Sequence, residues 1–210
     1  MPRGAKYGPL MLPVPTSRIL PDVRLPSPLA VKAVAHAEIT LLMDALAFSA
    51  HKHRNQRRKD VDASPYINHP IALARMLAVE GGISDHETLA AAILHDTIED
   101  TETTYEELKE KFGRAIAQVV REVSDDPTLS KADRKQLQIE HAQHLSPRAR
   151  LVKLADKTCN VRDMGSQAPA GWPLERRREY FDWAKQVVDQ IRGTNLHLES
   201  AFDEAYAARP

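Results

Sequence analysis

His95-Asp96-Thr97-Ile98-Glu99-Asp100 brings two kinds of chemistry into one short run: a His-Asp pair able to bind a metal ion, then two carboxylates able to hold or take a proton. That grouping points to hydrolysis at a phosphate. The residues leading into it, Thr88 to Leu94, are mostly good helix formers, so residues four apart share a face. His95 is therefore expected to stack with Glu99, and Asp96 with Asp100, along one helix edge. The competing explanation is a solvated acidic helix end. Acids, however, are favoured at helix N-termini, and these stand at the C-terminal end of an apolar run.

Further ligands must come from elsewhere in the chain, and two stretches offer them. In Pro65-Tyr66-Ile67-Asn68-His69-Pro70, the proline biases His69 away from helical geometry and places it at a loop-to-helix junction, as a ligand or as a helix cap. In Leu151-Val-Lys-Leu-Ala-Asp156-Lys-Thr-Cys-Asn160, Leu151, Leu154 and Ala155 mark a buried stripe with Asp156 beside it. A carboxylate there needs a partner, either a metal or an ion pair with Lys153 or Lys157. His69, His95, Asp96 and Asp156 together make a two-His, two-carboxylate set. Such mixed nitrogen and oxygen donors suit Mn²⁺ or Fe²⁺ better than structural Zn²⁺, which would call for more cysteine.

The segments His51-Lys-His-Arg-Asn-Gln-Arg-Arg-Lys59, Tyr66-Ile-Asn-His-Pro70, Leu94-His-Asp-Thr-Ile-Glu-Asp-Thr101, Leu151-Val-Lys-Leu-Ala-Asp-Lys157 and Glu179-Tyr-Phe-Asp-Trp183 occur in that order. On these the chain resembles the HD-domain hydrolases, and within them the small alarmone hydrolases related to the metazoan SpoT homologue, from about Leu41 to Glu199. The resemblance implies that His69, His95, Asp96 and Asp156 bind Mn²⁺, and that Glu99 and Asp100 orient or deprotonate the attacking water. It implies a small-molecule nucleotide substrate, guanosine 3′,5′-bis(diphosphate) or its 5′-triphosphate form, losing its 3′-pyrophosphate to give GDP or GTP. The family also includes phosphatases acting on NADPH.

A substrate with two diphosphates needs cations near the metal, and Lys52, Arg54, Arg57, Arg58 and Lys59 form a basic run. Arginine grips phosphate with a fork of donors or stacks on a base, whereas lysine acts as a point charge. A solvated helix end is the ordinary meaning of such a run. The resemblance places Arg58 by the guanine and Lys59 by the phosphates. It carries over Lys131 and Arg176 as phosphate contacts, Asn160 and Tyr180 as ribose or base contacts, and Tyr66 as a further substrate contact. Asn160 shares a helix face with Asp156. Tyr180 also opens the stripe Tyr180, Trp183, Ala184, Val187, Ile191, which reads equally as core.

The elements that must position these residues read as helix after helix: 32–54, 70–80, 85–99, 104–112, 114–123, 130–144, 147–164, 173–192 and 194–207. Ser84 with Glu87 and Thr103 with Glu106 have capping-box spacing. Ser146-Pro147 marks a helix start and Gly165 a helix end. The expected fold is all-α, a compact multi-helix HD-type domain over 31–210. Seven of the fourteen prolines fall between Pro2 and Pro28, so residues 1–30 read as a flexible Pro-rich tail. That tail lacks the apolar core of a signal peptide, and Asp22 and the prolines spoil an amphipathic transit helix.

No apolar run approaches the roughly twenty residues that span a bilayer. A single cysteine, Cys159, leaves no intramolecular disulfide and fits a cytoplasmic protein. Lys and Arg balance Asp and Glu at 29 each, so nothing suggests a nucleic-acid binder. The readings that remain are the alarmone pyrophosphohydrolase, an HD-type phosphatase acting on NADPH or another nucleotide, and a non-catalytic nucleotide-binding module.

Overall fold

The computed structural model describes residues 28–166, 168–169 and 171–210, with side chains from 35 onward. The expected Pro-rich tail lies almost wholly outside the described residues, which begin in helix at Pro28. Nine helices follow among the described residues: α1 (Pro28–Lys52), α2 (Asn68–Val79), α3 (His86–Leu94), α4 (Thr97–Asp100), α5 (Tyr105–Val123), α6 (Lys131–Ala142), α7 (Pro147–Ser166), α8 (Leu174–Asp189) and α9 (Leu196–Ala207). No strand appears among them, only an isolated bridge between Arg57 and Pro65. The all-α expectation holds.

Two short-residue helices sit at the centre. In α3, Ala90, Ala91, Ala92, Ile93 and Leu94 are all buried, because small side chains let neighbours approach from every side. It packs against α1, α2, α5 and α7. In α7, every residue from Val152 to Cys159 is buried, and the helix packs against α2, α3, α5, α8 and α9. Leu73, Leu77, Leu94, Leu108, Leu154, Phe181 and Phe202 fill the space between them. These two helices therefore present the end of α3 and the middle of α7 to each other across a rigid core.

The expected single helix over 85–99 is corrected by the structure. α3 stops at Leu94, His95 and Asp96 form the joint, and α4 restarts at Thr97. Asp96 sits at φ −93°, ψ −2°, and the Thr97 hydroxyl donates to Leu94 O at 2.7 Å, taking up a carbonyl at the end of α3. Both capping positions also move by one residue. Asp85, not Ser84, caps α3 by accepting from the Glu87 N–H, and Thr104, not Thr103, caps α5. The expected break near 113 is present as a kink: Gly113 adopts φ +84°, open to glycine at little cost, inside α5. Ser146 stands ahead of Pro147 as expected, its hydroxyl 3.4 Å from the Ala149 N–H.

Candidate active site

His69 enters from the first turn of α2, where the N–H that Pro70 lacks would have no helical partner. His95 and Asp96 come from the α3–α4 joint and Asp156 from the middle of α7. His69, His95 and Asp156 each offer a donor atom within 4.8 Å of the others. His69 Nε2 lies 3.3 Å from Asp156 Oδ1 and 3.9 Å from Asp96 Oδ2. His95 Nε2 lies 2.9 Å from Asp96 Oδ2 and 3.9 Å from Asp156 Oδ1. All four line one cavity of about 170 Å³, together with Glu99 and Asp100.

Local hydrogen bonds set the direction of each donor. His95 Nδ1–H donates to Ala92 O at 2.8 Å, which turns Nε2 into the cavity. That Nε2 is fully buried and makes no aligned hydrogen bond. Asp156 accepts from Asn160 Nδ2 at 2.5 Å and from Lys157 Nζ at 3.1 Å. Lys153 points elsewhere, donating to Val123 O. Asp96 accepts from the Tyr66 hydroxyl at 2.5 Å, and Tyr66 stacks on buried His53. His53 bonds Gln56, whose amide donates to Asp100 O at 2.6 Å.

The electrostatics describe a pocket short of positive charge. Burial opposes a charged His95, yet Asp96 and Asp156 beside it push its pKa up to about 9. Burial would raise Asp96 and Asp156 as well, but His95 beside the first and Lys157 and His69 beside the second hold both below the usual carboxylate range. Burial raises Glu99, helped by the charges of Asp125, Asp96 and Asp100 and opposed by the Asp125 N–H that donates to it at 3.0 Å. Asp100 is raised by burial and by Asp96. An orphaned imidazole nitrogen among carboxylates fits a divalent cation, and two nitrogen and two oxygen donors suit a transition ion such as Mn²⁺.

This pocket opens past Arg58, Tyr66, Asp100 and Asn160 into a cavity of about 530 Å³. Lys59, Lys131 and Tyr180 also line the larger cavity. Arg58 pairs with Asp163, so it is held against α7 rather than left in solvent. Arg176 does not reach this cavity; it lies across Trp172, with its guanidinium carbon 3.9 Å from the ring centroid, in an adjoining chamber that Lys131 shares. Tyr180 is only partly buried, so the site reading of it and the core reading both describe part of the ring. Burial raises its hydroxyl to about 12.

Several residues lining the cleft escaped the sequence reading. Asp163 follows Asp156 and Asn160 at i+7 and i+3 spacing on α7, a signal that was available. Gln56 is one of two amides, with Asn55, inside the basic run. Trp172 stands in a loop, where no periodicity marks it, and Lys135 gains meaning only from the aromatic rings of α8 opposite.

The chain matches the HD-domain family over residues 45–182. It is 51% identical over 169 residues to the Danio rerio protein named guanosine-3′,5′-bis(diphosphate) 3′-pyrophosphohydrolase MESH1, covering 80% of this chain and 94% of that one. The Homo sapiens protein of the same name is 51% identical over 173 residues, covering 82% and 97%. A solved structure described as a metazoan orthologue of SpoT that hydrolyses ppGpp superposes with a TM-score of 0.79 at 49% identity, over 80% of this chain and 95% of that one.

Proposed function

The chain belongs to the HD-domain family, and on that footing we propose that it is a Mn²⁺-dependent hydrolase of guanosine 3′,5′-bis(diphosphate) and its 5′-triphosphate form, releasing pyrophosphate and GDP or GTP. The observation that carries this reading is the joining of a carboxylate-rich His/Asp pocket to a nucleotide-sized cavity bordered by Arg58, Lys59 and Lys131. His69, His95, Asp96 and Asp156 would hold the cation, which supplies Lewis acidity and lowers the pKa of a bound water.

The remaining work falls to side chains in the cleft. Glu99, its carboxyl raised by burial and fixed by the Asp125 N–H, accepts the proton of the attacking water. Asp100, whose backbone is pinned by Gln56, orients that water. The bond between phosphorus and the ribose 3′ oxygen breaks, pyrophosphate carries away the oxygen of the water, and the 3′ oxygen gains a proton. Arg58, Tyr66, Asn160 and Tyr180 bound the base and ribose, and Lys59, Lys131 and Arg176 offer donors to the phosphates.

The test is product analysis by anion exchange, with metal-stripped protein given Mn²⁺ and with Asp96→Ala and NADPH run alongside. The expected result is GDP and pyrophosphate from guanosine 3′,5′-bis(diphosphate) only with Mn²⁺ and intact Asp96. Phosphate from NADPH alone would replace this reading with an NADPH phosphatase, and turnover of neither would leave a nucleotide-binding module.

A further inference from the structure

The chamber beside the nucleotide cavity has about the same volume, 520 Å³, and shares Lys131, Trp172 and Tyr180 with it. Its charges are unusual for this molecule. Lys131, Lys135 and Arg176 line it together with Asp125 and Glu179, yet none of the three cations has a carboxylate within ion-pair reach among the described residues. Lys131 Nζ stands 5.9 Å from the Trp172 centroid, and Lys135 Nζ stands 4.9 Å from the Trp183 centroid and 5.9 Å from that of Tyr180. The Trp183 indole N–H donates to Lys135 O at 3.0 Å, fixing the floor of α8 to α6. Burial and the like charges of Lys131, Arg176 and Lys157 depress Lys135, with only Glu179 opposing. Cations gathered on aromatic faces, outnumbering the carboxylates of the chamber and forming no ion pair with them, make a site for an anion with several charges.

We propose that this chamber receives the 5′-polyphosphate of the substrate and that Lys135, which lines it without bordering the nucleotide cavity, contacts the terminal phosphate of a 5′-triphosphate, setting preference by chain length. The inference rests on the proposed substrate class and deepens it. Lys131 meets the phosphates nearer the ribose, because it borders both cavities, whereas Arg176 and Lys135 border only the outer chamber. On this proposal Lys135 meets the third phosphate of a 5′-triphosphate, a group that the 5′-diphosphate lacks.

The experiment compares kcat/KM for the 5′-diphosphate and 5′-triphosphate substrates in wild type, Lys135→Met and Lys135→Arg, with binding of inorganic tripolyphosphate and pyrophosphate measured by calorimetry on the same proteins. Methionine keeps an unbranched side chain of similar length beside Trp183 and removes the charge. Lys135→Met should lower kcat/KM for the triphosphate about tenfold and for the diphosphate less than about twofold, and should weaken tripolyphosphate about tenfold more than pyrophosphate. Lys135→Arg should restore most of both. Equal losses on both substrates, or no loss on either, would overturn the proposal. If wild type turns over neither nucleotide, the substrate reading fails separately, and the tripolyphosphate comparison still decides whether Lys135 counts phosphates.

Discussion

On the α3–α4–α7 side of the cleft, Asp96, Glu99, Asp100 and Asp156 outnumber the cations that reach them, namely Lys157 at 3.1 Å from Asp156, Arg134 at 3.6 Å from Glu99 and the His95 imidazole, favoured in its charged form, at 2.9 Å from Asp96. On the α6–α8 side the sign reverses, and Lys131, Lys135 and Arg176 face aromatic rings instead of carboxylates. The outer surface obeys neither pattern: Arg148 meets Asp85, Arg162 meets Glu80, Arg192 meets Asp203 and Arg209 meets Asp182. These four partly exposed outer arginines are matched, because an unmatched charge in a partly dry place costs free energy. Two neighbouring excesses of opposite sign mean that the missing counterions come from outside. On the proposed reading, a divalent cation answers the first and a polyphosphate the second.

The sharpest way to break that comparison is Glu99→Gln. If Glu99 serves as proposed, taking a proton without holding the cation, turnover should fall by about 10²–10⁴ while bound Mn²⁺, counted by atomic emission after dialysis, stays unchanged. Loss of metal together with rate would instead assign Glu99 to the ligand set. The pH profile adds a sign. A base acts when deprotonated, and burial raises Glu99 above its ordinary value of 4.5, so the acid limb of kcat/KM should lie above that value and vanish in the variant.

The legibility of the two excesses in the sequence differed for a physical reason. The carboxylate side was readable in part: His and Asp at the end of an alanine-rich helix invite a ligand reading, whereas Asp156 beside its apolar stripe was open to a metal or to an ion pair, and the structure places it both beside His69 and His95 and on Lys157. What could not be read was the break between Leu94 and Thr97. Helix formers continue on both sides of it, and the joint is made by a threonine hydroxyl on Leu94 O and by Tyr66 holding Asp96 from another segment. Capping shifted by one residue for a similar reason. Asp85 accepts from the Glu87 N–H and from the Thr88 hydroxyl while Arg148 pairs with it, a set of partners that spacing alone does not reveal. The cationic side was half readable, since a lysine on α6 acquires its meaning from α8, and the aromatic floor includes a loop tryptophan.

Arg176→Ala tests the cationic side at smaller amplitude. Losing one donor to a charged phosphate should raise KM about tenfold with kcat changed less than about twofold. Removing one of three unmatched like charges should leave the melting temperature unchanged or slightly higher, because Arg176 is among the groups that depress Lys131 and Lys135. A lower melting temperature with unchanged KM would turn Arg176 into a structural cover for Trp172 and erase the distinction between cleft and surface.

Glu80→Gln supplies the matched-charge side of the comparison and the smallest effect. Arg162 holds Glu80 with two donors, each at 2.9 Å, between α7 and the end of α2. The pair is about one-third exposed on each side, so solvent screening limits it to about 0.5 kcal/mol. Its pH dependence follows from the direction of the shift. Arg162 holds the Glu80 carboxyl below its ordinary 4.5, so the contribution is complete above that value and disappears as pH falls through the depressed one. Thermal melts of wild type and variant should therefore differ slightly at neutral pH and converge in acid, with kcat/KM the same for both proteins. A change in turnover would mean that the Glu80–Arg162 pair steers α7 and hence Asp156, which would extend the functional charges beyond the cleft and dissolve the boundary that separates matched from unmatched groups.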